Sequence, residues 1–174
     1  MYKFVVIDFE TTGIDPAFDE ILSVSIINED GIVLLDEYCK PELVSSWEAA
    51  QAVNGITPEM VADKKSFGYY RIKVEDILKN AEYVVAYNAK FESDFLESYD
   101  IHTSDFFWID PMIVFAEIYG EWNEYYQNYK WQKLSKCAEY YGYEFKAHDS
   151  LEDVKATLFC LNKMIENGDI NVSK

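Results

Sequence analysis

Asp8 and Glu10 stand two residues apart at the end of the apolar run Phe4-Val5-Val6-Ile7. Strand side chains alternate between faces, so two such residues share one face at roughly 7 Å. Acids placed together at a strand end repel unless a cation lies between them. Carboxylate oxygens are the donors that hard cations such as Mg²⁺ and Mn²⁺ prefer. The plainer alternative is two solvated acids. A further acid, Glu92, lies in Phe91-Glu92-Ser93-Asp94-Phe95-Leu96. At roughly 100° per helical residue, Phe91, Phe95, Leu96 and Tyr99 define an apolar arc with Glu92 near its middle, while Asp94 points away. A carboxylate facing a core is costly without a partner. A metal ion would be one, and an exposed helix edge would remove the need; Asp94 reads as solvated. Finally, His148-Asp149-Ser150-Leu151-Glu152-Asp153 puts an imidazole just ahead of a helix. Imidazole titrates nearest neutrality of the common side chains, which suits general-base work. Yet Ser150 and Asp153 also fit a helix capping box, which alone would account for Asp153, and a lone histidine at a helix start is more often structural.

The elements that would position these residues follow from periodicity. Residues 4–9, 21–27 and 32–38 read as strands, with Asn28-Glu29-Asp30-Gly31 as the hairpin turn between the last two. An irregular stretch follows, in which Thr57 and Pro58 suit a helix start. Residues 74–79 read as a helix end, 83–87 as a fourth strand, 89–99 as a helix begun by Asn88 as N-cap, and 106–109 as a fifth strand. Helices are expected over 111–119, 131–141 and 150–165. An antiparallel meander followed by alternating β and α elements implies an α/β fold: a mixed five-stranded sheet flanked by helices.

The 174 residues fit one domain, 1–174. No apolar run reaches membrane-spanning length, and the N-terminus lacks a signal-peptide layout, so a soluble, cytoplasmic protein is expected. Cys39, Cys137 and Cys160 show no zinc spacing and read as buried free thiols. With 32 acids against 15 bases, the formal charge is −17. That argues against tight binding of long duplexes, since a basic footprint is the usual mark of such proteins. An enzyme taking one strand end is less penalised, because bound cations would supply local positive charge.

Together these segments resemble the DnaQ-like branch of the DEDD superfamily of 3′–5′ exonucleases. Asp8-Phe9-Glu10-Thr11-Thr12-Gly13 matches the first motif in full. His148, four intervening residues and Asp153 match the third motif of the histidine subtype (DEDDh). Val53-Asn54-Gly55-Ile56-Thr57, Lys133-Leu134 and Tyr141-Gly142 extend the likeness. The second motif departs from the family's His-Asn-Ala-x-Phe-Asp, with Tyr87 for the histidine and Glu92 for the aspartate. The resemblance implies a ribonuclease H-like fold and two-metal-ion hydrolysis with Mg²⁺ or Mn²⁺. Asp8, Glu10, Asp153 and Glu92 would be the metal ligands and His148 the general base. The backbone around Thr11 and Thr12, together with Asn88 and Phe91, would line the pocket for the last nucleotides. It also implies a single-stranded DNA or RNA 3′ end as substrate and a DNA polymerase as a further partner, with proofreading the associated task. The rival readings are a weak or inactive nucleic-acid-binding module, motivated by Glu92, and a polymerase-associated subunit. The aromatic stretch from Tyr119 to Trp131 is open between base stacking, core packing and partner contact.

Overall fold

The protein is described here by a computed structural model in which residues 1–172 are placed. In chain order the strands are β1 (Tyr2–Thr11), β2 (Ile21–Asn28), β3 (Val33–Tyr38), β4 (Ala81–Val85), β5 (Trp108–Ile109), β6 (Trp122–Asn123) and β7 (Asn128–Tyr129). The helices are α1 (Glu48–Asn54), α2 (Pro58–Val61), α3 (Phe67–Lys79), α4 (Ala89–Ser98), α5 (Pro111–Tyr119), α6 (Leu134–Tyr141) and α7 (Ser150–Asn167). The main sheet has five strands in the order β3-β2-β1-β4-β5. β1 pairs antiparallel with β2 and parallel with β4, so the sheet is mixed as expected. Among the described residues no helix is long and apolar enough to cross a membrane, and the three cysteines are free and buried.

β1 is the central strand, and its alternation divides the core in two. Val5, Ile7 and Phe9 pack with Phe67, Val74 and Leu78 of α3 and Phe95 and Leu96 of α4. Phe4 and Val6 face the opposite way, toward Phe115 of α5, Cys137 and Ala138 of α6, and Val154, Leu161 and Met164 of α7. By the same parity Asp8 and Glu10 continue the α7 face beyond the apolar core. β2 is buried along its whole length, as a strand covered on both faces must be. A small third cluster of Leu22, Trp47, Ile56 and Val61 seats α1 and α2, with the Trp47 indole donating to the Ile56 carbonyl at 2.8 Å.

Three local expectations need correction. The helix expected from Trp131 begins at Leu134, because Lys133 is still extended (φ −64°, ψ 152°). The preceding residues form the β6–β7 hairpin, which the aromatic-rich pattern hid. The start of α7 is capped one residue earlier than the capping-box pattern implies. Asp149 is the N-cap, accepting from the Glu152 N–H, and Ser150 is the first helical residue. Asn88 does precede α4, but in a left-handed conformation (φ 78°) and with no side-chain cap bond.

Candidate active site

Three elements meet at one end of β1. β1 itself supplies Asp8 and Glu10, the first turn of α4 supplies Glu92, and the start of α7 supplies His148 and Asp153. α4 follows β4, the parallel neighbour of β1, so its first turn arrives at the carboxyl edge where Asp8 lies. This edge is where open α/β sheets place ligands. Glu10, His148 and Asp153 each offer an atom within 4.8 Å of the others. His148 is exposed, and its backbone N–H donates to an Asp153 carboxylate oxygen at 3.1 Å. Thus Asp153 holds the turn before α7 rather than capping the helix. His148 sits in the left-handed region (φ 67°), which costs a non-glycine residue free energy and is tolerated where surrounding contacts fix it.

The start of α7 is anchored by a buried hydroxyl cluster. The Ser150 hydroxyl is 2.7 Å from that of Ser23 and 2.8 Å from that of Ser25, and the Ser25 hydroxyl donates to Asp36 at 2.8 Å. Ser23 and Ser25 lie opposite Glu10 and Asp8 in the β1–β2 register. The start of α4 is held by Asp110, whose carboxylate accepts from the backbone N–H groups of Asn88 at 3.1 Å and Ala89 at 2.9 Å while capping α5 through Met112. Neither Asp110 nor Ser23 and Ser25 were singled out from the sequence, and Ser150 was read there only as part of a capping box. Asp110 is legible afterwards as the acid before Pro111, an N-cap signal with Pro in the first helical turn.

The electrostatics are one-sided. Burial, followed by the charges of Asp153, Glu92 and Glu10, raises the Asp8 carboxyl well above its ordinary range. Burial and then Asp153 push Glu10 to about 7, against an offsetting hydrogen bond from Asn54. Burial also pushes Asp153 to about 7, opposed by the His148 N–H. Glu92, only 3% exposed, is raised chiefly by burial, with Asp110 and Glu10 adding repulsion. Its Oε2 is buried with no hydrogen-bond partner. None of the ion pairs among the described residues involves Asp8, Glu10, Glu92 or Asp153. Acids near enough to repel one another, Glu10 and Asp153 grouped closely with His148 and Glu92 holding an unpartnered oxygen, fit a hard divalent cation, which would relieve both repulsion and desolvation. Asp94, by contrast, pairs with Lys90 at 2.6 Å on the surface.

The side chains of Thr11, Thr12 and Phe91 make contacts within the fold. Thr11 and Thr12 are buried and turned inward: Thr11 donates to the Gly13 carbonyl, and Thr12 to Asp19 at 2.9 Å. A Cβ at Gly13 would displace the Asp19 carboxylate that Thr12 donates to. Phe91 packs on Phe95 with ring centroids 4.8 Å apart. Two cavities carry Asp8, Glu10 and Asp153, and Glu92 lines neither. One of about 400 Å³ is lined by Asp8, Tyr87, Trp131, Lys133, His148 and Asp153. The other, of about 260 Å³, contains Glu10, Tyr38, Asn54, Lys146, His148 and Asp149. Thr11, Thr12, Asn88 and Phe91 line neither.

A family model described as an exonuclease, RNase_T, matches residues 5–160. The chain belongs to the RNase_T exonuclease family. That family is part of the DEDD superfamily of nucleases, whose members depend on divalent metal ions. Among curated relatives, the DNA polymerase III PolC-type of Thermotoga petrophila is 29% identical over 170 residues, covering 94% of this chain and 12% of that protein. RNA exonuclease 4 of Candida glabrata is 35% identical over 81 residues, covering 45% of this chain and 30% of that protein. The chain thus spans 12% or less of the PolC-type relatives it matches. Among solved structures, E. coli exonuclease I in complex with a dA16 oligonucleotide superposes with a TM-score of 0.77 at 21% identity, over 96% of this chain and 41% of that one. Exonuclease X in complex with 5′-overhanging duplex DNA gives 0.68 at 20% identity, over 97% and 95%. The fold is the ribonuclease H-like fold of these exonucleases.

Proposed function

We propose that this family member hydrolyses single-stranded nucleic acid from the 3′ end, releasing nucleoside monophosphates with the help of two divalent cations, Mg²⁺ or Mn²⁺. The observation that carries this reading is the grouping of Glu10, Asp153 and the His148 imidazole, with Asp8 and Glu92 near enough to add mutual repulsion and none of the four acids in an ion pair among the described residues. Asp8, Glu10 and Asp153 would hold the cations, with Glu92 contributing its unpartnered oxygen. When bound, such ions activate a water and stabilise the charge on the leaving oxygen. His148 accepts the proton of the attacking water. As the water oxygen bonds to the terminal phosphorus, the bond from phosphorus to the 3′ oxygen breaks, and that oxygen regains a proton from solvent. The exposed position of His148 lets its proton return to bulk water between turnovers. The His148 N–H bond to Asp153 fixes the base relative to the ligand set.

Support for a single-stranded end comes from the oligonucleotide in the exonuclease I complex. The PolC-type relatives favour a second reading, in which the same chemistry edits behind a DNA polymerase. The test is digestion of end-labelled DNA and RNA oligomers of matched sequence with Mg²⁺ or Mn²⁺. Mononucleotides should appear from 3′ ends and vanish with EDTA. Cutting of a circular substrate, or activity unchanged by EDTA, would overturn the proposal. Co-elution with a polymerase in gel filtration would support the second reading.

A further inference from the structure

The segment joining α5 to α6 carries aromatic side chains that no core uses. Tyr125, Tyr126 and Trp131 are 85%, 70% and 65% exposed. Core packing, one of the roles open from sequence, is thereby removed for these three. The segment is nonetheless built. The Gln127 N–H donates to the Asn123 carbonyl and the Lys130 N–H to the Glu121 carbonyl, both at 2.8 Å. Trp122 meets Tyr129 edge-on at 5.2 Å, and Lys130 pairs with Glu121 at 2.6 Å. Trp131 ends the hairpin and lines two cavities at once. One is the cavity of Asp8, His148 and Asp153; the other, of about 350 Å³, lies within the hairpin between Tyr126, Tyr129 and Lys130. The aromatic surface is therefore continuous with the candidate active site.

Charge indicates what would cover that surface. Phosphate neutralisation ordinarily dominates nucleic-acid affinity. Here the formal charge is −17, and two lysines near the motifs, Lys90 and Lys130, are already paired with Asp94 and Glu121. Base stacking on aromatic faces needs no positive charge and tolerates any sequence. We propose that Trp131 and Tyr126 form a stacking platform for bases of the substrate strand upstream of the scissile bond, so that the strand is held by its bases more than by its phosphates. The identity of that strand rests on the exonuclease reading above.

The test compares the wild type with Trp131→Ala and Tyr126→Ala on two substrates. One is a short oligothymidylate. The other is an oligomer of equal length that is abasic everywhere except its 3′-terminal dinucleotide. Each variant should raise KM for the first substrate by about 5- to 150-fold, the range expected for losing one stacked base, with a much smaller change in kcat. On the abasic oligomer the variants and the wild type should converge. Separately, oligothymidylate in EDTA should quench tryptophan fluorescence in the wild type and not in Trp131→Phe. Failure of the wild type to hydrolyse either oligomer would sink the exonuclease reading, while the quenching would still judge the platform. Equal KM losses on both substrates, or variants indistinguishable from wild type in KM and in quenching, would overturn it and leave this face to a protein partner.

Discussion

His148 and Glu92 are the two residues whose roles depend most on geometry. His148 lies close enough to Glu10 and Asp153 to share a cation with them, yet its exposure and fixed backbone suit a proton acceptor. If it acts as the base, His148→Ala should lower kcat by about 10²- to 10⁴-fold while Mn²⁺ binding, followed by calorimetry, survives. Loss of the metal instead would make it a ligand. Glu92 is buried with an unpartnered oxygen, whereas Asp94, two residues on, is tied to Lys90 at the surface. Glu92→Ala should therefore abolish most turnover. Asp94→Ala should leave turnover intact and change stability by no more than about 1 kcal/mol, the usual worth of an exposed pair. Glu92→Asp restores the family's side chain and should keep or raise activity. The reverse ranking of the two alanine variants would move the ligand two residues along. The helical arc made this distinction readable in advance. The fate of Asp153 was not readable, because a capping box and a ligand share the same spacing.

At the scale of elements, α7 must be docked at one height and rotation for Asp153 and His148 to reach β1. The buried Ser150 hydroxyl, held between Ser23 and Ser25, is the polar link that sets this. Ser150→Ala would take the Ser150 partner from the buried Ser23 hydroxyl, while Ser25 keeps Asp36, costing about 1–3 kcal/mol. In a chain of this size that corresponds to a fall in Tm of roughly 2–4 °C per kcal/mol. Turnover should fall through kcat more than through KM. A melting temperature equal to wild type would show that the cluster carries no docking energy. Asp110 plays the matching part for α4 by accepting from the first two N–H groups there. Asp110→Ala should lower Tm and also disturb the Glu92 position, seen as weaker metal binding. Neither anchor is periodic, so neither stood out among the helical and strand patterns. Pro111 after Asp110 and the capping-box pattern at Ser150 were the local traces.

For the molecule as a whole, charge sets behaviour. Glu10 and Asp153 sit near 7 in the folded protein, well above ordinary carboxylates. A raised folded value means that these groups contribute stability below their unfolded pKa of about 4, and that it is lost as pH rises through about 7. In EDTA the Tm should therefore fall between pH 5 and pH 8, and Mg²⁺ or Mn²⁺ should restore it at the upper end by binding the ionised set. A Tm in EDTA that rises over that interval would contradict the buried-acid account. The formal charge of −17 also predicts weak binding of long duplex DNA at physiological salt without metal, measurable by gel shift. Of the lysines flanking the motifs, Lys133 and Lys146 line the two acid-bearing cavities, whereas Lys90 and Lys130 are engaged by acids.

The sequence by itself determined what is local. Alternation along residues 4–10 put Asp8 and Glu10 on one face, and the arc around Phe91 turned Glu92 inward and Asp94 outward. The β2–β3 hairpin and the order along the chain of the five main-sheet strands followed from the same periods, and motif spacing carried the family. Tertiary structure decided what depends on contacts between distant segments. It set the strand order that brings α4 and α7 to the end of β1, and the one-residue shift that made Asp149 the cap. It turned the Thr11 and Thr12 hydroxyls inward and left the aromatic hairpin exposed beside the site. Periodicity reports which face of an element is apolar. It carries no record of which other element covers that face, and an aromatic residue reads alike in a core and on a surface until its neighbours are in place.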